Sequence, residues 1–320
     1  MASAAVAAMT GRRPVAGIGY HEVLVDPARR RNVVQALCGV VLGLLTFLAL
    51  TPVVTQVVLL LGWNAAGRPG SYSDFAVAAL AFETPLGMLA SHLGLAVLLP
   101  TSLGLVVLVH NTHPRWLHSV QPGFRWSYAL AALLAAAVVL NAVLFVTGAG
   151  WTWQLRPQHD FGWFLLVILL TSPLQAAAEE YFFRGYLLQA GQAVFRVPWA
   201  GVVVSALVFA LFHGTQNLPL FLDRFGFGLL AGFLVIRTGG LEAAIAAHTA
   251  NNVLAFLWAG LTTSIATVKA TQVIGWWDLA TDLLGFALCA AAALWLARRM
   301  RLATTTPGPV GPGLARNGAV

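Results

Sequence analysis

The sequence predicts an all-α membrane protein, a polytopic bundle of about eight transmembrane helices. Three observations predict it. Of the 320 residues 59% are hydrophobic and only 9% are charged, with a mean hydropathy of +0.80, where soluble domains carry about 25% charged residues. A fold so poor in charge cannot cover a water-facing surface, so lipid must cover it. Apolar runs approaching the roughly 20 residues of a membrane crossing recur along the chain. Arginines cluster outside the first and last of these runs.

The segment 1–31 is polar and basic, with no apolar core ahead of a cleavage site, and reads as a cytoplasmic N-terminal tail. The multi-pass domain follows over 32–303. Its spans fall near 33–62, 85–109, 128–148, 162–178, 200–212, 225–236, 242–260 and 279–297. The fifth and sixth are short for a full crossing, as suits tilted helices or helices lining an internal cavity. Residues 304–320, rich in proline and glycine, read as a disordered tail. Cys38 and Cys289 both sit in apolar runs and read as packing residues.

The net charge of +7 is a topology signal rather than a nucleic-acid footprint, because no basic stripe alternates with aromatics. With eight spans both termini share one side. That side holds thirteen cations: Arg12, Arg13, Arg29, Arg30, Arg31, Arg115, Arg125, Arg196, Arg237, Arg298, Arg299, Arg301 and Arg316. The other side holds four, Arg68, Arg156, Arg224 and Lys269. Cytoplasmic loops carry the excess, so both termini are expected in the cytoplasm and the chain in the plasma (inner) membrane.

Three groups inside the apolar runs need explaining, since an ionisable side chain at mid-span costs about 2.5–3.5 kcal/mol or more. Glu179, Glu180 and Arg184 follow the run ending at Leu170 and Pro173. Glu180 and Arg184 are four apart and can pair on one helical face, while Glu179 points about 100° away toward a cavity. Phe209 and His213 form a second group at spacing four. His248 and Asn252 form a third, at the same spacing within an otherwise apolar helix. Each alone has a plain structural reading: a charge cluster at a helix end, an interfacial histidine, an interhelical polar contact. Together they need burial partners, and the cheapest partners are each other. His92 stands alone in its span, and His110, His113 and His118 fall in a loop.

A carboxylate shielded from water holds its proton more tightly and suits general-base chemistry near neutral pH. An imidazole can share in activating water or can bind a metal that does so. A second histidine and an asparagine amide can donate to an oxyanion. These parts suffice for peptide hydrolysis without a covalent nucleophile. No His-Glu-x-x-His helix occurs, and there is no Gly-x-Ser-Gly elbow.

Glu-Glu-x-x-x-Arg at 179–184, Phe-x-x-x-His at 209–213 and His-x-x-x-Asn at 248–252 resemble, in order and separation, the three motifs of the CPBP family. These are the CAAX-prenyl-protease and bacteriocin-processing (ABI) intramembrane proteases. The stretch from Gly228 to Gly239, leading into His248, is similar to the family's link between its second and third motifs. The resemblance covers about 160–260. It implies an intramembrane endopeptidase acting on a membrane-tethered or lipidated peptide or protein. Glu179 is then the general base with His213 as partner, His248 and Asn252 stabilise the oxyanion, and Glu180, Arg184 and Phe209 support the site. It also implies two options for the cofactor: Glu179, His213 and His248 bind a zinc ion in an open tetrahedral site, or they work without metal. Two other functions fit the same residues. One is a non-proteolytic scaffold or regulator binding a lipid or protein partner in the cavity. The other is a proton-coupled transporter, for which inverted repeats are the expected sign, and none is seen.

Overall fold

The computed structural model describes residues 11–27, 32–121, 123–148, 150 and 154–308. Among these there is no strand, only isolated bridges between Arg12 and Thr112, Gly19 and Thr305, and Ser119 and Gly240. The helices are α1 (Asn32–Ala65), α2 (Tyr72–Leu80), α3 (Pro85–Leu108), α4 (Trp126–Val146) and α5 (Phe161–Phe195). They continue with α6 (Pro198–Leu211), α7 (Leu218–Thr238), α8 (Glu242–Thr262), α9 (Ile265–Ala270) and α10 (Trp276–Arg299). The chain is a multi-pass membrane protein. Among the described residues six helices, α1, α3, α4, α5, α7 and α10, are long and apolar enough to cross a bilayer. Of the remaining expected spans, α6 has 14 residues, and α8 has 21 but carries His248, Asn251 and Asn252. The short helices α2 and α9 fill connections read from sequence as plain loops.

The helix ends follow local chemistry. Asn217 caps α7 by accepting from the Leu220 amide, and Pro219 sits in the first turn, where its missing N–H costs nothing. This start takes Asp223 and Arg224 into α7, which runs a full 21 residues rather than the short 225–236 expected. Arg224, counted above as a loop cation, therefore sits on a helix. Gly239 ends α7 in the left-handed conformation (φ 71°), which glycine adopts at no steric cost.

Close helix approach depends on small residues. A Cβ on Gly228 would lie 2.7 Å from Ala206 Cβ, and one on Gly232 would lie 2.8 Å from Val202. Gly228 and Gly232 thus let α7 press onto α6 in the small-xxx-small manner of membrane helices. Gly191 and Gly201 do the same where α5 meets α6.

The eight longer rods run alternately between two faces. On one face the segment 11–27, the loop 109–125, the α7–α8 turn and the residues after α10 bond to each other. Val120 N donates to Gly239 O at 2.8 Å and Leu241 N to His118 O at 3.0 Å. On the other face Gln158 N donates to Gly260 O at 2.9 Å and Asn217 N to Gln272 O at 2.9 Å.

The N-terminal segment is not a free tail. Tyr20, Val23 and Leu24 are buried, Tyr20 and Leu24 within the main core, and the Tyr20 hydroxyl donates to Leu117 O at 2.6 Å. The spacing of these apolar side chains, within one helical turn, explains the docking. The start of the C-terminal segment is also ordered: Thr306 Oγ1 donates to Val15 O at 2.6 Å and accepts from Ile18 N at 3.1 Å. The rest of the expected disordered tail, 309–320, lies outside the described residues, as do 1–10 and Arg29 to Arg31.

Candidate active site

α5 is α-helical to Glu180, passes through a π-helical stretch at Tyr181–Leu187, and resumes at Leu188. Such widened turns are often found at functional sites. Here the stretch follows the two glutamates directly and contains Arg184.

The expected face sharing holds. Arg184 Nη1 donates to Glu180 Oε1 at 3.0 Å, with both side chains fully buried. The guanidinium carbon lies 4.1 Å from the Phe209 ring centroid and 5.3 Å from that of Phe227. Among the described residues Arg184 Nε and Nη2 have no hydrogen-bond partner. The aromatic faces therefore supply the rest of the arginine's stabilisation.

α8 brings His248 onto the same pair. His248 Nδ1 is 2.8 Å from Glu180 Oε1, and Nε2 is 3.6 Å from Glu179 Oε2. One imidazole thus bridges the two adjacent carboxylates. Asn252, one turn along α8, donates through Nδ2 to Gln175 Oε1 at 2.9 Å, and Asn251 donates to Asn252 Oδ1 at 3.3 Å.

His213 lies just past the end of α6, on the wall of the same cavity. Its Nδ1 is 2.7 Å from Phe209 O. A carbonyl only accepts, so Nδ1 carries the proton and Nε2 is left for the cavity. The Phe209 ring sits 4.5 Å from the His213 ring and 6.0 Å from that of His248, filling the space between the two histidines.

These side chains line a cavity of about 580 Å³. Glu179, His213, His248 and Asn252 are all on its wall; Glu180 and Arg184 lie behind it. The sequence reading missed several other wall residues. Gln175 holds Asn252, and it sits four residues before Glu179, so the same spacing rule would have found it. His92, read as isolated, lines the cavity and pairs through Nδ1 with Thr171 Oγ1 at 2.7 Å. Asp223, Arg224 and Lys269 add charged groups to its wall, and Lys269 Nζ lies 5.0 Å from the Phe82 ring centroid.

The loop histidines are not free either. His118 Nδ1 bonds the Tyr181 hydroxyl, and His110 Nε2 lies 3.1 Å from the Tyr186 hydroxyl, both beneath the π-helical stretch. Beside them Arg125 clamps Glu242 with Nε at 2.9 Å and Nη2 at 2.6 Å.

Among the described residues no group of three or more His, Cys, Asp or Glu converges as metal ligands do. Glu179, His213 and His248 share a wall without meeting at one point, and His248 Nδ1 is already committed to Glu180. The side chains as placed do not form a zinc site.

The fold and the site define a polytopic membrane protein with a buried carboxylate–imidazole cluster facing a cavity inside its helical bundle. Residues 161–254, which hold all three motifs, match the family described as type II CAAX prenyl endopeptidase Rce1-like, the CPBP family that the motifs resemble. A relative from Bacillus subtilis (strain 168), the uncharacterized protein YyaK, is 28% identical over 135 residues, 40% of this chain. The match covers 45% of that relative, so this chain spans less than half of its length. No solved structure matches the chain.

Proposed function

We propose that this protein is an intramembrane endopeptidase that hydrolyses a membrane-tethered or lipidated peptide or protein. We place it in the plasma (inner) membrane with both termini cytoplasmic. One observation carries the enzymatic reading. Glu179, His213, His248 and Asn252, from three separate helical segments, stand on the wall of a single cavity within the bundle, inside the stretch matched to the endopeptidase family.

In this reading Glu179 takes a proton from water as the water oxygen attacks the peptide carbonyl carbon. His213, whose Nε2 is open to the cavity, holds that water. The carbonyl oxygen becomes an oxyanion stabilised by Asn252 and His248. Asn252 spends one amide hydrogen on Gln175 and keeps the second for the substrate. His248, with Nδ1–H committed to Glu180, donates from Nε2 when its ring carries both protons. Glu179 then passes its proton to the leaving amine as the C–N bond breaks. Glu180 and Arg184 hold His248 and α5 in place.

The test is cleavage of a membrane-anchored peptide library by purified protein. Glu179→Gln and His213→Ala are each expected to lower cleavage by about 10²–10⁴-fold, the contribution of general acid–base groups. Both variants should elute as the parent does from gel filtration in detergent. Parent-like cleavage by Glu179→Gln would sink the proposal.

A further inference from the structure

Among the described residues, the connections that line the cavity all belong to one face of the bundle. Its wall reaches Phe82, Thr215, Lys269, Thr271 and Gln272, which lie before α3, after α6 and around α9. No described residue of 11–27, 109–125, 196–197, 239–241 or 300–308 contributes to it. On that opposite side the way is closed. Phe183, Phe209 and Phe227 pack over Arg184 and Glu180, and beyond them lie the His118–Tyr181 contact and the Arg125–Glu242 clamp. The closed face is also the one on which the two terminal segments pair, through Gly19 and Thr305.

Charge orients these two faces. Among the described residues nine cations, Arg12, Arg13, Arg115, Arg125, Arg196, Arg237, Arg298, Arg299 and Arg301, stand in the connections and helix ends of the closed face, and four belong to the open one. Two of those four, Arg224 and Lys269, line the cavity itself, which leaves Arg68 and Arg156 in the open-face connections. Lys and Arg accumulate in cytoplasmic loops.

We infer that the cavity opens away from the cytoplasm, on the side of the membrane opposite both termini. Its substrates are then membrane-anchored peptides whose cleaved segment lies at or beyond the outer leaflet. The side of opening is independent of the chemistry; the substrate class rests on the proteolytic reading above.

The test uses the full chain with Cys38→Ala and Cys289→Ala, carrying one new cysteine at a time. Thr215→Cys and Gln272→Cys report the open face, and Gln121→Cys reports the closed one; all three positions are exposed. A membrane-impermeant maleimide should label the first two in right-side-out vesicles, and Gln121→Cys in inside-out vesicles alone. Labelling with the opposite sidedness, or equal labelling of all three in both preparations, overturns the inference. A second measurement co-expresses anchored reporters with the same scissile segment on either side of the membrane. Cleavage is expected for the outward reporter, and cleavage confined to the inward one overturns the substrate class. If neither is cut the proteolytic reading fails, while the labelling still decides the side of opening.

Discussion

His248 bonds through Nδ1 to Glu180 Oε1 at 2.8 Å, and the same oxygen accepts Arg184 Nη1 at 3.0 Å. Glu180 is therefore the joint between α5 and α8. It has no exposed surface, so its charge is compensated entirely inside the protein. Removing one member of a buried ion pair typically costs about 3–5 kcal/mol, because the other charge is stranded, whereas replacing both by apolar groups costs much less. Arg184→Ala and Glu180→Gln are each expected to destabilise by about that amount, read as a lowered midpoint in unfolding of the detergent-solubilised protein. Arg184→Met combined with Glu180→Leu should recover part of the loss. Single-variant losses below about 1 kcal/mol, the range of solvated pairs, would show that water reaches the pair.

Gln175 positions the Asn252 amide across the contact between α5 and α8. Its Oε1 accepts from Asn252 Nδ2 at 2.9 Å and so fixes which way the amide faces. Gln175→Ala is expected to lower kcat about tenfold, about 1.4 kcal/mol of transition-state stabilisation, with KM within about twofold. That split is what loss of an interaction formed only in the transition state produces. Steady-state kinetics on an anchored peptide would check it. A rise in KM at constant kcat would instead make Gln175 part of substrate binding.

The features that could be read from sequence are those written within one helix. Period-four spacing paired Glu180 with Arg184, and it placed Phe209 beside His213 and His248 beside Asn252. The contacts that assemble the site are between helices. His248 meets Glu180 across 68 residues, and Arg125 meets Glu242 across 117. No local pattern encodes either. Gln175 obeys the same period-four rule with Glu179, but an uncharged amide within a span carries no charge to mark it. Asp223 and Arg224 interrupt the apolar run, so hydropathy starts the span at 225, whereas the Asn217 cap and Pro219 start the helix before them. Tyr20, Val23 and Leu24 dock a segment too short to show a repeating apolar pattern.

The loop histidine His118 should make stability depend on pH. Burial beneath the bundle pushes its pKa below the ordinary 6.5, with the nearby Glu242 carboxylate opposing the shift. The folded state thus binds this proton less readily than the unfolded chain does. Its contribution is fully present above about pH 6.5 and is lost as pH falls below that value. The melting midpoint of the parent is expected to drop between about pH 6.5 and 5. His118→Gln, which titrates nowhere in that range, should flatten the drop. An unchanged slope would assign it to other histidines, among them His21 and His113, whose pKa values are also lowered by burial.

The response to chelators tests whether the donors act where they now stand. His213 offers one open nitrogen, Nε2, since Nδ1 is bonded to Phe209 O. His248 offers only Nε2, which already faces Glu179. A zinc ion needs about four ligands at roughly 2.0–2.3 Å, and Glu179, His213 and His248 do not converge on one point. Gathering them would require His213 to approach His248 past the Phe209 ring, which lies 4.5 Å from one and 6.0 Å from the other. Prolonged chelation of the purified protein is therefore expected to change peptide cleavage by less than about twofold, far below the loss expected for Glu179→Gln. Metal content measured on the same sample should be well below one ion per chain. Activity lost to the chelator and restored by zinc would mean that the three donors close on a metal, and that Phe209 moves aside to let them.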